Sequence, residues 1–150
     1  MKVNLIKQGQ VFIPATPQDE EKFSQVKSGQ PIEVELKQKR NVKFLRKFFA
    51  MLNVGFEAFE PNEKAYKGHV AEKNFERFRK DVVIMAGFYD ATYDIKGNLK
   101  LEAHSISFGK MSEDEFNKVY NACCNVLLKQ VLHNYTREDL DHVVEQLTRF

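Results

Sequence analysis

Apolar residues recur at three- and four-residue steps along much of the chain, a spacing typical of helices that bury one face. The clearest example starts at Asn41, where phenylalanine and leucine residues line one side until Pro61 ends the pattern. Helix-capping sequences open three further segments, at Thr16, Ser112 and Thr136. The pattern predicts helices over residues 16–29, 41–59, 72–86, 112–131 and 136–147.

Alternating apolar and polar residues predict short strands between these helices. Apolar residues on both sides of Gly9 favour an opening hairpin or two edge segments. Residues 32–36 alternate isoleucine, valine and leucine with glutamate, as expected for a strand that is buried on one face. Another hairpin is predicted around the Lys-Gly-Asn sequence at 96–98, where residues 88–95 meet residues 99–108. We therefore expect an α+β fold, in which a small, mostly antiparallel sheet packs against about five helices.

The length and composition limit what the chain can be. Its 150 residues are 43% hydrophobic, which is enough for one domain with its own core, so we predict a single domain over residues 1–150. The net charge of +2 is too small for bulk electrostatic coating of nucleic acid, and any phosphate binding must come from local clustering. The start of the chain lacks the apolar core of a signal peptide, and no apolar stretch reaches bilayer length. These features predict a cytoplasmic protein that has no membrane partner.

The strongest chemical signal is a basic run that joins the predicted strand to the helix after it. Residues 37–47 carry six cationic side chains and no carboxylate. Lysine and arginine bind phosphate oxygens, and free backbone N–H groups at a helix start add to the attraction. The candidate nucleic-acid contacts in this run are Lys39, Arg40, Lys43, Arg46 and Lys47. The same pattern is also compatible with an ordinary solvated helix face.

A second basic group lies on the next predicted helix and could extend this surface. It contains Lys73, Arg77, Arg79 and Lys80, and we select Arg77 and Lys80 as further nucleic-acid contacts.

Aromatic side chains beside a basic groove can stack on unpaired bases. Tyr66 lies in a polar loop predicted over residues 61–68, and Tyr89 and Tyr93 lie in the second hairpin, so these tyrosines are stacking candidates. The alternative for each is a half-buried position at a sheet surface. The phenylalanines at helical spacing are expected in the core.

An enzymatic function would have to use polar residues that cluster around the second hairpin. Asp90, Asp94, Glu102 and His104 are residue types that hold Mg²⁺ for phosphodiester hydrolysis, but their strand register is open and no nuclease motif surrounds them. The sequence also has no hydrolase elbow, zinc-ligand spacing or nucleotide-binding loop. We therefore predict no catalytic residue, no metal site and no cofactor.

The sequence resembles a widespread phage and prophage family that is described only as conserved and of unknown function. The resemblance starts with the predicted strand at 32–36 and the segment 40–52, and it runs the whole chain. Its further marks are residues 75–80, 101–111, 120–122 and 134–139.

More distantly, the order of features resembles the lambda Orf (NinB) recombination mediators. The shared order is a strand, an arginine, a helix that contains Arg-Lys, then Ser-x-Ser before a methionine and Glu-Phe opening a later helix. The matching positions are Arg40, Arg46, Lys47, Ala50, Leu52, Ser105, Ser107, Met111, Glu115 and Phe116. This resemblance implies a NinB-like, dimeric α+β protein that binds single-stranded DNA. It implies help in loading or exchanging proteins on that strand during phage recombination, without catalysis.

We therefore expect a phage-derived, single-stranded DNA-binding recombination accessory protein in the cytoplasm of the bacterial host. Its expected partners are single-stranded DNA, phage or host recombination and replication proteins, and a second copy in a homodimer. The alternative is a protein-interaction module that acts on a host or phage replication protein. A divergent metal-dependent nuclease is the third hypothesis.

Overall fold

The protein is an α+β structure in which helices carry most of the core. The computed structural model describes residues 1–37 and 42–149. In this part of the chain the α-helices are α1 (Pro17–Ser24), α2 (Val42–Ala58), α3 (Phe75–Met85), α4 (Glu113–Gln130) and α5 (Arg137–Thr148), and a short 3-10 helix spans Phe108–Lys110. The strands are β1 (Leu5–Gln8), β2 (Val11–Pro14), β3 (Ala65–Tyr66), β4 (His69–Val70), β5 (Tyr89–Tyr93) and β6 (Leu99–Ala103). None of the described helices has the length and apolarity needed to cross a membrane.

The hydrophobic core lies where α2 packs against α3, α4 and α5. Phe48, Met51 and Leu52 of α2 are essentially inaccessible to solvent, which confirms the core face predicted from their spacing. Gly55 brings α2 close to α4, because a Cβ atom there would lie 2.6 Å from a methyl carbon of Leu127. The core is thus organised around α2, the helix that follows the basic run.

The helix starts follow the predicted capping chemistry. The Thr16 hydroxyl accepts the N–H of Asp19, while Ser112 and Thr136 form complete capping boxes at α4 and α5. The helix α1 is shorter than predicted, since it ends at Ser24 rather than near Gly29. These local side-chain bonds fix where α4 and α5 begin, and α5 carries residues of the candidate site.

The described strands form three separate antiparallel hairpins rather than the one small sheet that we predicted. The first turns at Gly9, where φ is +60°, and joins β1 to β2 as predicted. The segment at 61–68, predicted to be a loop, contains β3 and the turn into β4, in which Lys67 and Gly68 have φ values of 48° and 81°. Positive φ at both central residues is typical of a tight two-residue hairpin turn. The third hairpin joins β5 to β6, as expected from its turn sequence.

The prediction of a strand at residues 32–36 is wrong. This segment has no regular secondary structure, and the side chains of Ile32, Val34 and Leu36 are each more than half exposed. An alternating pattern describes a side-chain period, but a strand also needs a neighbour to pair with. Each strand in the described residues pairs within its own hairpin, so no edge is occupied by this segment.

Candidate nucleic-acid interface

Three predicted contacts lie on the first two turns of α2. Lys43, Arg46 and Lys47 share the side of the helix that faces away from the buried Leu45 and Phe48. We call these three residues the α2 basic arc. The first turn of α2 contains no acidic residue, so the positive end of the helix dipole adds to the charge of the arc. The predicted contacts Lys39 and Arg40 lie outside the described residues.

The three side chains of the α2 basic arc have different surroundings. Lys43 is exposed, whereas Arg46 and Lys47 are half-buried. Arg46 lines a groove between helices, and partial burial lowers the pKa of its guanidinium. The ammonium of Lys47 lies over the ring of Tyr120, 4.6 Å from the ring centroid. In the α2 basic arc, Lys43 is therefore exposed to solvent, whereas Arg46 and Lys47 contact other elements of the protein.

The groove beside Arg46 is open and has a volume of about 750 Å³. Its walls come from α2, α5 and the segment that leads into α1. Arg46 and Arg149 carry positive charge, and Nη2 of Arg149 lies 3.5 Å from the carboxylate of Glu145. Glu57 is the one carboxylate among the described lining residues. Tyr135, which is 39% exposed, adds an aromatic side chain to the same lining. The apolar part of the wall is formed by Phe49, Ala50, Val54, Val143 and Leu147.

A second set of residues meets the α2 basic arc at Tyr120. The guanidinium carbon of Arg137, at the start of α5, lies 5.6 Å from the Tyr120 ring centroid. Its Nε donates to Asp141 at 2.9 Å, and its Nη2 donates to Asn121 at 2.6 Å. Burial tends to lower the pKa of Arg137, but the hydrogen bond with Asp141 and nearby acidic groups outweigh burial and raise it. Arg137 is thus a fixed positive charge that contacts the same ring as Lys47.

Sequence reasoning missed Tyr135, Arg137 and Arg149 as parts of this region. They lie about 90 or more residues from the basic run along the chain, and none belongs to a cluster of like charges. The packing of α5 against α2 brings them to the same surface. The one available signal was the capping box at Thr136, which fixes the helix start next to Tyr135 and Arg137.

The second basic group, Lys73, Arg77, Arg79 and Lys80, is divided between structural and exposed positions; we call it the α3 basic group. The ammonium of Lys73 donates to the carbonyls of Phe56 and Phe59, at 2.9 and 3.2 Å, and so caps the end of α2. Arg79 pairs with Glu76 at 3.0 Å.

The two residues selected as contacts from this group are exposed. The guanidinium of Arg77 lies 3.8 Å from the carboxylate of Asp81, and Lys80 has no carboxylate partner among the described residues. Lys73 contacts the C-terminal end of α2, whereas Lys43 lies in its first turn. With a rise of about 1.5 Å per residue, this places Lys73 roughly 20 Å from Lys43 along α2. These two lysines therefore do not belong to one compact cluster.

The candidate stacking tyrosines lie on hairpins away from the groove. Tyr66 and Tyr93 are 73% and 78% exposed, so neither is half-buried at a sheet surface, while Tyr89 is 43% exposed. None of the three is a groove-lining residue. Among the exposed tyrosines named here, Tyr135 is therefore the one that shares a groove with Arg46.

The register of the third hairpin resolves the position of the polar residues considered for catalysis. Asp90 lies opposite Glu102, and its carboxylate is 3.1 Å from Nε2 of His104. Asp94 instead accepts the backbone N–H groups of the turn residues Lys96 and Asn98, so its carboxylate stabilises the turn. Within residues 1–37 and 42–149, no group of three or more His, Cys, Asp or Glu residues could hold a metal ion. The described residues therefore offer no set of metal ligands that would support the nuclease hypothesis.

The fold and the interface define a small α+β protein with a cationic face on the first turns of one helix. The chain belongs to an uncharacterised family: the family model "Protein of unknown function (DUF1367)" matches residues 1–66 and 62–150. This confirms the predicted membership of a family of unknown function. No curated protein and no solved structure matches the chain.

Proposed function

We propose that this protein is a single-stranded DNA-binding accessory factor in recombination, without a catalytic role. The observation that carries the proposal is the position of Arg46 beside a groove that also contains Tyr135 and Arg149. Single-stranded DNA needs two kinds of contact from such a protein, namely cations for its phosphates and apolar or aromatic surface for its bases. This groove combines both, and Lys43 adds an exposed cation on the same helix.

The groove favours a single strand over a duplex for a chemical reason. Bases in a duplex are stacked on each other and offer a protein mainly phosphates and groove edges. Unpaired bases expose their faces and gain from contact with Tyr135 and the apolar wall formed by Phe49 and Val143. We expect the protein to contact phosphates with Lys43 and Arg46 and bases with Tyr135.

The biological setting of the proposal comes from sequence resemblance. The resemblance to phage and prophage proteins supports a phage origin, and the resemblance to the lambda Orf recombination mediators supports a homodimer that acts with phage or host recombination and replication proteins. The matching residues include Arg46 and Lys47, which lie in the α2 basic arc.

The decisive experiment is a fluorescence anisotropy titration of labelled single-stranded and duplex oligonucleotides across a salt series. The test variant replaces both Lys43 and Arg46 by glutamine, and its matched control replaces Lys118 and Lys129, two exposed lysines of α4, by glutamine. Loss of two phosphate contacts should weaken single-strand binding roughly 10- to 100-fold and reduce the salt slope by about 1.4. The control variant also loses two positive charges and should bind like the wild type.

Equal binding by the wild type and a folded Lys43→Gln, Arg46→Gln variant would refute the assignment of these contacts. Absence of binding by the wild type at low salt would refute the function itself. Stronger binding to duplex than to single strands would contradict the role of the groove.

The third hairpin favours a second candidate function, a protein-interaction module. Its register places apolar residues on one face and polar residues on the other. The apolar face consists of Tyr89, Ala91, Tyr93, Leu99, Leu101 and Ala103. Tyr93 and Leu99, which pair across the strands, are 78% and 63% exposed. Exposed apolar pairs of this kind are typical of protein contact surfaces.

This second function has a separate test. Capture of a replication protein by the tagged wild type should survive nuclease treatment and should be lost on replacing both Tyr93 and Leu99 by serine. The same variant should retain wild-type affinity for single-stranded DNA. Capture that disappears on nuclease treatment would instead show that nucleic acid connects the two proteins.

A further inference from the structure

Two cationic side chains from different helices converge on one buried aromatic ring. Tyr120 of α4 is 1% exposed, and both Lys47 of α2 and Arg137 of α5 lie over its ring. Their charged groups are 4.6 and 5.6 Å from the ring centroid, so they are about 10 Å apart at most. The ring provides attraction to each cation but no negative charge to offset the two positive ones.

The positive charges of the two cations also influence the same buried residue, Cys124 of α4. Burial raises the pKa of the Cys124 thiol to about 11, while the positive charges of Arg137 and Lys47 both act in the opposite direction. Cys124 lies one helical turn after Tyr120 on α4. The positive charges of Lys47 and Arg137 therefore both act on the side of α4 that carries Tyr120 and Cys124.

The carboxylate of Asp141 is the negative charge next to these two cations, and it pairs with Arg137 and not with Lys47. Asp141 and Asn121 accept two of the five N–H donors of Arg137 and hold its guanidinium in place. Lys47 has no carboxylate partner among the described residues, although its side chain is half-buried. In the same part of the chain, the buried Tyr120 hydroxyl has only a weak interaction with the Cys124 thiol.

We infer that Lys47 and Arg137 together form a binding site for a phosphate group beside the Tyr120 ring. A phosphate oxyanion between them would neutralise the ammonium of Lys47 and accept from the remaining donors of Arg137, in a partly desolvated place where such hydrogen bonds are strong. Arginine held by a carboxylate is well suited to this role because its planar fork is already oriented. This inference deepens the proposed function, on which it rests, by naming a phosphate contact outside the groove.

The phosphate group can come from two sources, either a phosphodiester of single-stranded DNA or free phosphate. The experiment is an NMR titration of the labelled full chain with inorganic phosphate, and separately with an oligothymidine, at constant ionic strength. The signals to follow are the side-chain Nε–H of Arg137 and the backbone amides of Tyr120 and Asn121. We expect both ligands to shift these signals, and Lys47→Gln should weaken phosphate binding at least about tenfold.

Two variants serve as controls for Lys47→Gln. Lys118→Gln removes one lysine charge from an exposed position of α4 and should bind phosphate like the wild type. Lys47→Arg keeps the charge and should retain most of the phosphate affinity. Because the wild-type titration alone reports on the site, a folding defect in any variant does not prevent the test.

The outcomes separate this inference from the proposed function. If neither ligand shifts the Arg137 and Tyr120 signals while the oligonucleotide still binds at Arg46 and Tyr135, the phosphate site is refuted and the proposed function stands. If phosphate shifts these signals but the chain binds no oligonucleotide, the site is real and takes free phosphate, and the proposed function is refuted. A phosphate response that Lys118→Gln abolishes as fully as Lys47→Gln would refute the assignment to Lys47.

Discussion

The α2 basic arc and the α3 basic group are alike in sequence but differ in what their charges do. In the α3 basic group, Lys73 caps the end of α2, and Arg79 and Arg77 face Glu76 and Asp81. In the α2 basic arc, no carboxylate lies in the first helical turn. The comparison shows that the number of cations in a segment is a poor guide to the charge available for a ligand, since nearby carbonyls and carboxylates determine how much of it remains.

We assign base contact to Tyr135, the exposed tyrosine that lines the same groove as Arg46. Tyr135→Ala should weaken binding of single-stranded DNA about 5- to 150-fold, because stacking on a base contributes about 1–3 kcal/mol. Tyr66→Ala removes a more exposed tyrosine that lies outside the groove and should change binding less than twofold. Anisotropy titrations at one salt concentration measure both. The reverse order of effects would place base contact on the hairpin formed by β3 and β4.

Lys73 should matter for stability and not for binding. Lys73→Met removes the two hydrogen bonds to the carbonyls of Phe56 and Phe59, and we expect the free energy of unfolding to fall by about 1–2 kcal/mol. Urea unfolding followed by circular dichroism gives this value. Lys64→Met, the same change at an exposed lysine, is the control and should be neutral within about 0.5 kcal/mol. A loss of DNA affinity in Lys73→Met at a concentration where it is folded would contradict the structural role.

Arg77 and Lys80 should contribute only when the ligand is long enough to reach them. Replacing both by glutamine should leave binding of an oligonucleotide of about five bases unchanged and weaken binding of one of about twenty bases by a few-fold. The reason is that they lie on α3, on a different helix from the α2 basic arc, so a short strand bound at the arc does not have to cross them. Equal effects on both lengths would mean that the strand follows another path, and no effect on either would remove these two residues from the interface.

The smallest effect is expected at Arg79. Arg79→Gln breaks its pair with Glu76 on the surface of α3, which should lower the free energy of unfolding by no more than about 0.5 kcal/mol. The salt dependence of DNA binding should stay at the wild-type slope. A reduced slope in this variant would show that Arg79 leaves Glu76 to bind phosphate.

The secondary-structure predictions were correct where an element depends on interactions between residues that are close in sequence. The capping boxes of α4 and α5 and the turn at Gly9 depend on residues within a few positions of each other, and the structure confirms each of them. The strand at residues 32–36 failed because a strand also requires a partner that lies elsewhere in the chain. The hairpin of β3 and β4 was missed because its two-residue strands are too short to produce a periodic pattern.

By itself, the sequence determined the α+β class, the positions of the main helices and the cationic start of α2, because periodicity, capping and local charge are properties of neighbouring residues. Only the tertiary structure decided that Lys73 is a cap, that Tyr135 shares a groove with Arg46, and that Arg137 meets Lys47 at Tyr120. Each of these contacts joins residues from separate helices or segments. Such contacts depend on how those segments pack, and no periodic pattern in the sequence records that packing.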